Sequence, residues 1–419
     1  MAAQTKSQFI KAPNGSKPVH LTLEKNLART VKLGHPWIFA DSLSKLPPAA
    51  PGSLALCKTK NGQIIAKGFY DPKSPLAFKS LALVNERLDD GLLQRRLHRS
   101  WNMRMQLFDR ASTNAYRLFN GEGDGLPGLV CDIYNDTAVF KLDGAGAEGF
   151  YDVQALAEWL LTQHGSPIKT VFQRFKSNSA SRGKLIIGDY PEQPVHILEN
   201  GAIFQVDVVN GQKTGFFLDQ RDSRACVGRL CRAAAPSLSS SSKLRCLNVF
   251  GYTGGFSVYA GRSNASNVTT VDVADKALQY ATANWALNGL RDTAHESVRA
   301  DAFDFLEDAA KSKEKWDLVI VDPPSFAPNQ ASVERAKSSY KTLFTNAAQC
   351  VQPNGILALS SCSSHINAST FSEICCSALA AAQRPGYALV IAGQPEDHPS
   401  PIFAEELRYL KFNCYQLEG

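Results

Sequence analysis

The sequence predicts an α/β protein whose C-terminal half is a doubly wound, mostly parallel sheet, preceded by a small β domain and a central α/β domain. Three observations carry this. From residue 244 onward, short apolar runs alternate with helical stretches, and the runs are too short to be buried helices. Between about 18 and 88 every run is strand-like, and turn signals such as "LPPAAPG" and "KNG" separate them. Charge is uneven: residues 1–80 hold 12 Lys plus Arg against 3 acids, a local +9, whereas the remainder holds 33 against 36, or −3 of the chain's net +6.

The first expected domain spans 17–88, with strands in "VHLTL", "SLALCKT", "QIIAKGFYD" and "LAFKSLALV". Its basic excess points to a polyanion partner, with lysine kept for solubility as the equal alternative. The second spans 92–195. Residues 91–110 have helical periodicity and five arginines, most of them expected on a solvated face. Beyond the Gly-rich "NGEGDGLPG" come strands "LVCDIY" and "AVFKL" around an Asn-Asp turn, the helix "YDVQALAEWLLTQHG", and strands "IKTVFQRF" and "GKLIIGDY".

The third expected domain spans 198–419. The serine run 236–243 reads as a loop or linker. Strands then follow at "LRCLNVF", "NVTTVDV", "SVRAD", "DLVIVD", "GILALSS" and "YALVIAG", with helices between them. In such a sheet, ligands bind beyond the carboxyl ends of the strands. The first strand ends in "FGYTGGFS", where Gly251, Gly254 and Gly255 let the backbone approach a ligand. Asp272 ends the second strand 21 positions after Gly251, the spacing at which an acid binds ribose hydroxyls. Asp301 and Asp322 end the third and fourth strands, and three acids in register at one edge suggest a ligand rather than folding alone.

Several classes are excluded. The ten cysteines form no CxxC pair, which argues against a disulfide scaffold or a zinc site and suits a reducing compartment. No apolar run approaches the ~18 residues of a membrane span. The N-terminal stretch has no apolar core and no arginine before Arg29, so cytoplasmic location is expected, with a short organellar leader left open. The G-x-G-x-x-G spacing and the Walker lysine are both missing.

The glycine loop, the ribose acid and Asp-Pro-Pro after the fourth strand together resemble class I S-adenosylmethionine-dependent methyltransferases. The target atom is suggested by "GILALSSCSSHINAS" (355–369), where Cys362 ends the next strand at the same edge. Carbon 5 of a pyrimidine becomes nucleophilic only after something adds to carbon 6; a thiolate can add there, with an acid at ring N3. Cys362 and Asp322 are the catalytic candidates, whereas Cys246, Cys350, Cys375 and Cys376 read as ordinary packing.

End to end, the chain resembles a bacterial family of 23S rRNA 5-methylcytosine methyltransferases with an N-terminal PUA domain and a Rossmann-like catalytic domain. The likeness rests on "GHPWIF", "YRLFNGEGDGLPGLV", "GQKTGFFLDQRDSR", "FGYTGGFS", "DPPSF", "SCS" and "DHPSPIFAEELRYLKF". It implies a cofactor site at Phe250, Gly251, Tyr252, Thr253, Gly254, Asp272, Asp301, Ala302 and Asp322, with Lys213, Thr214, Gly215 and Gln220 beside it. It implies RNA contacts at Lys32, His35, Trp37 and Arg221. Other 5-methylcytosine RNA enzymes carry a second cysteine after the fourth strand; Ser325 stands there, so the group that removes the carbon 5 proton is open. The expected partner is RNA from the large ribosomal subunit; no membrane or metal is expected, and a homodimer is left open. Two other readings stand: an N-methyltransferase acting on guanine or adenine through Asp-Pro-Pro, and a non-catalytic RNA-binding factor.

Overall fold

The computed structural model describes residues 9–11, 17–175, 181–191, 194–234 and 244–418. The serine run 236–243 and the first two residues of "SASRGK" (179–184) lie outside the described residues. The chain forms two compact units. One comprises Met1–Ile197, Val206–Leu218 and Glu396–Glu405; the other comprises Leu198–Gln205, Asp219–Pro395 and Glu406–Gly419.

The first unit contains two five-stranded sheets. β1 (Val19–Thr22), β2 (Trp37–Ile38), β3 (Ser53–Lys58), β4 (Ile64–Tyr70) and β5 (Phe78–Leu83) pair in the order β1-β3-β4-β5-β2, with α1 (Ala28–Lys32) between β1 and β2 in sequence. Leu21, Ala55, Cys57, Ala66 and Phe78 from this sheet fill a small core with Val31 of α1. The second sheet joins β6 (Ala115–Asn120), β7 (Leu129–Tyr134), β8 (Thr137–Leu142), β9 (Thr170–Arg174) and β10 (Gly183–Ile187) in the order β10-β9-β8-β7-β6. Asn135, at φ 60°, makes the tight β7–β8 turn that the Asn-Asp dipeptide predicts.

Helices α2 (Asp90–Leu107), α3 (Gly144–Phe150) and α4 (Val153–Thr162) cover this second sheet. Asp89 caps α2 by accepting from Leu92 N, and Asp152 caps α4 by accepting from Ala155 N. One arginine of α2 is an exception to the solvated face expected for most of them. Arg104 is fully buried, not solvated: its Nη1 and Nη2 each donate to an Asp124 carboxylate oxygen at 2.8 Å. It also donates to the carbonyls of Arg117 (3.0 Å) and Asp397 (2.8 Å). Arg117 in turn forks onto Asp132 at 2.7 and 2.9 Å, and its backbone N–H donates to Asp397. The tail "DHPSP" is therefore pinned by buried charge.

The boundary expected near 195–198 falls inside β11 (Val195–Glu199), which pairs with β12 (Ala202–Val206) across Asn200 (φ 48°) and Gly201 (φ 73°).

The second unit holds α5 (Arg221–Ala234) and a seven-stranded sheet. Along the chain come β13 (Arg245–Val249), α6 (Gly255–Gly261), β14 (Asn267–Asp272), α7 (Asp275–Leu287) and β15 (His295–Arg299). There follow α8 (Ala302–Lys311), β16 (Trp316–Val321), α9 (Val333–Gln349), β17 (Val351–Ser361), α10 (Ala368–Ala381), β18 (Gly386–Ala392) and β19 (Lys411–Leu417). The strand order is β15-β14-β13-β16-β17-β19-β18, parallel except for β19, which is antiparallel to both neighbours. Both faces are buried, as a parallel sheet requires. Leu247, Val319 and Leu357 pack against α8, α9 and α10, while Cys246, Leu318 and Ala358 pack against α5, α6 and α7. The order reverses between β13 and β16, so the loop after β13 and the ends of β16 and β17 share one edge.

Candidate active site

The loop after β13 is held in an unusual path. Phe250 (φ 60°) and Tyr252 (φ 48°) both adopt left-handed conformations that non-glycine residues enter at a cost, and such strain clusters at ligand sites. Gly254 (φ 77°) does so too; a Cβ there would lie 2.9 Å from the Cβ of Ala281. Asp272 anchors the loop: its Oδ2 accepts from Tyr252 N and its Oδ1 from Ala274 N, each at 2.9 Å. Asn284 donates to the Thr253 carbonyl at 2.9 Å. Buried polar atoms here with no partner among the described residues include Thr253 Oγ1, Asn248 Oδ1 and Gln220 Oε1. Buried hydroxyl and amide oxygens left over in this way suit a polar ligand.

At the end of β16, Asp322 Oδ1 accepts from Gln220 Nε2 at 2.9 Å, and the same amide donates to Ser360 Oγ on β17, also at 2.9 Å. Gln220 therefore clamps the two strand ends that carry the candidate acid and thiol. Cys362 follows β17 directly and is half-buried, whereas eight other cysteines are buried and Cys376 is exposed. Its neighbours Ser361 and Ser363 are fully buried. Tyr340 of α9 joins them, with its hydroxyl 3.0 Å from both serine hydroxyls. Ser325 of "DPPSF" bonds Ser363 at 3.0 Å, and Ala327 N donates to Ser363 at 3.3 Å. Serines flank the thiol because their hydroxyls fasten its turn to the Asp-Pro-Pro loop and to α9.

Several expected residues sit differently. Asp301 caps α8, accepting from Phe303 N (2.8 Å) and Asp304 N (3.4 Å), so it has a folding role of its own; Ala302 is the buried first residue of that helix. Thr214 belongs to the first unit, where its buried hydroxyl donates to Asp132 and lies 2.8 Å from Tyr134 Oη. Gly215 packs with a would-be Cβ 2.7 Å from Val206 Cγ1, and Lys213 Nζ lies 4.7 Å from the centre of the Phe217 ring. Arg221 is buried and its Nε pairs with Asp222 at 3.1 Å, so it presents no exposed guanidinium to RNA.

In the N-terminal β domain, Lys32 at the end of α1 is exposed. His35 Nδ1 accepts from Trp37 N at 3.2 Å, while Trp37 Nε1 donates to Glu122 at 2.9 Å, which makes this tryptophan a structural tie.

The sequence alone overlooked Lys411. It is buried, pairs with Ser361 across the β17–β19 ladder, and donates to the carbonyls of Ser363 (2.6 Å) and Tyr409 (2.7 Å). A lysine among the apolar residues of "YLKFNCY" is the one signal that could have marked it.

The profile of S-adenosylmethionine-dependent methyltransferases matches residues 154–375 of this chain, and that of a PUA-like domain matches residues 21–82. The chain belongs to the S-adenosylmethionine-dependent methyltransferase family. It is 35% identical to a ribosomal RNA large subunit methyltransferase of Deinococcus radiodurans, over 98% of this chain and 100% of that protein. It is 33% identical to the ribosomal RNA large subunit methyltransferase I of Aeromonas salmonicida, over 94% and 98% respectively. Two solved methyltransferase structures share the fold with TM-scores of 0.80 and cover 95% of this chain. One, from Streptococcus mutans, is 21% identical; the other, 22% identical, is complexed with S-adenosylhomocysteine.

S-adenosylmethionine is thus the cofactor of this methyltransferase, and the loop with Thr253 Oγ1, together with Gln220 Oε1, fits such a polar ligand. Asp272→Ala should weaken S-adenosylhomocysteine binding about 10- to 100-fold by calorimetry, since it removes a charged acceptor and frees Tyr252 N. Unchanged affinity would place the cofactor elsewhere.

Proposed function

We propose that this chain methylates large-subunit ribosomal RNA on carbon 5 of a cytosine, with Cys362 as nucleophile. The observation that carries the reading is the half-buried Cys362 thiol, fixed in its serine turn at the strand end next to Asp322. The ribosomal substrate is supported by relatives that are ribosomal RNA large subunit methyltransferases and align over nearly the whole chain.

In this reading the residues from Phe250 to Gly254, with Asp272, Asp301, Ala302, Asp322 and Gln220, hold the cofactor. The Cys362 sulfur forms a bond to carbon 6 of the cytosine, and the ring electrons move toward carbon 5. Asp322, steadied by Gln220, supplies the proton or hydrogen bond that ring N3 needs as those electrons shift. S-adenosylmethionine, when bound, supplies an electrophilic methyl carbon. Loss of the carbon 5 proton then restores the double bond, and the sulfur–carbon bond breaks to return the thiolate. The target base has to be single-stranded or flipped out of its stack.

The segments 17–88, 92–195 and 198–419 serve in this account as RNA grip, connecting domain and catalytic domain, with Lys32 among the phosphate contacts and His35 beside it. Affinity for RNA should fall steeply as salt rises, with a linear slope in log–log form. A flat dependence would remove the basic segment from the interface.

Bisulfite sequencing of ribosomal RNA from cells with and without the gene tests the reading. A cytosine methylated only when the gene is present is the expected result. An unchanged cytosine map together with a lost N-methylguanine or N-methyladenine would transfer the chemistry to the Asp-Pro-Pro loop.

A further inference from the structure

Lys411 is out of place by ordinary energetics. A buried ammonium is costly unless an anion or a full set of acceptors accompanies it. Among the described residues its three N–H bonds meet two acceptors, the carbonyls of Ser363 and Tyr409, and no carboxylate pairs with it. One of those carbonyls belongs to the residue after Cys362, and the ladder sets Lys411 opposite the residue before it. The lysine is therefore aimed at the turn that carries the thiol.

We propose that Lys411 is a positioning residue for the nucleophile: its buried ammonium is the counter-charge that holds Cys362 as a thiolate. The thiol proton leaves to solvent, Lys411 stays protonated, and sulfur and nitrogen share one net charge fewer than an isolated buried lysine and a neutral thiol would carry. Burial pushes the Lys411 amine down to about 8, while the neighbouring Cys362 charge acts to raise it, as an ion pair requires. Other titratable groups lie on the elements that pack around the pair. Tyr340 comes from α9, Asp322 from the end of β16, and Asp219 through its bond from Tyr409. β18 contributes only Tyr387, which is bonded to Glu418 at the far end of the ladder. Burial also raises the Tyr340 phenol, which keeps it neutral, so its hydroxyl serves as a hydrogen-bonding fixture.

The catalytic meaning rests on the cytosine reading, but the ionisation does not, so the two can fail separately. The test is the rate of Cys362 carbamidomethylation by iodoacetamide against pH, read by peptide mass spectrometry on the full chain, with exposed Cys376 as internal reference. The wild-type midpoint should lie at least one unit below the ordinary thiol value of about 8.5. Lys411→Met should raise it by about one unit or more, slowing alkylation near neutrality about tenfold, while Lys411→Arg keeps it low and Cys376 does not move. A wild-type midpoint at or above 8.5 overturns the proposal even if Lys411→Met does not fold. So does an unmoved midpoint in folded Lys411→Met. A midpoint that moves with Lys411 in a chain that makes no 5-methylcytosine leaves the ion pair standing and sinks only the cytosine chemistry.

Discussion

Cys362→Ser should lower methyl transfer to RNA by about a thousandfold or more, because a serine hydroxyl is not ionised near neutral pH and adds poorly to carbon 6. The substitution is nearly isosteric, so the hydroxyl ties among Ser361, Ser363 and Tyr340 should survive. S-adenosylhomocysteine affinity should stay within about twofold of wild type, since the loop anchored by Asp272 is untouched. The checking measurement is single-turnover transfer of labelled methyl, paired with calorimetry of cofactor binding. An N-methyltransferase would retain most of its activity, because its chemistry has no need of this sulfur. A non-catalytic RNA-binding protein would show no transfer in either form.

Arg104→Met should be the most damaging single change to stability. It strands Asp124, itself 3% exposed, without its bidentate partner and frees the carbonyls of Arg117 and Asp397. Breaking a buried ion pair by removing one partner costs about 3–5 kcal/mol, because a buried charge is left uncompensated. In scanning calorimetry the transition of the first unit should drop by several degrees. Arg104→Met combined with Asp124→Leu should recover much of that loss, since a well-packed apolar pair replaces both charges. A single variant as stable as wild type would mean that water reaches Asp124 and that the network contributes little.

The catalytic sheet was legible because its signals are local. A short apolar strand ending in Asp or Cys, followed by a helix, places that residue at the functional edge whichever strands pair. Asp272, Asp322 and Cys362 do lie at the ends of β14, β16 and β17. Other residues share a different property, which is that their surroundings depend on a partner far along the chain. Periodicity puts Arg104 on a helix face, but Asp124 and the Asp397 carbonyl turn that face inward. The motif "GHPWIF" marks Trp37 as special, yet its indole is spent on Glu122, 85 positions away. Thr214 lies in a stretch that the family resemblance flags, and its hydroxyl answers to Asp132 and Tyr134. Lys411 is the converse case: an unremarked strand residue that acquires its meaning from Ser363, 48 positions earlier. Asp301 shows a third pattern, in which one carboxylate both ends a strand and caps the next helix, so that its position is explained before any ligand is considered.

The central claim is a covalent bond between one sulfur and one ring carbon, and it can be seen directly. RNA carrying 5-fluorocytidine at the target base, incubated with the full chain and S-adenosylmethionine, should leave the protein attached, because fluorine at carbon 5 cannot depart as a proton does. Mass spectrometry of the digest should find the nucleotide on the peptide containing Cys362, with no adduct formed by Cys362→Ser. An adduct on a different residue, or full methylation of unmodified RNA with no adduct at all, would contradict the account.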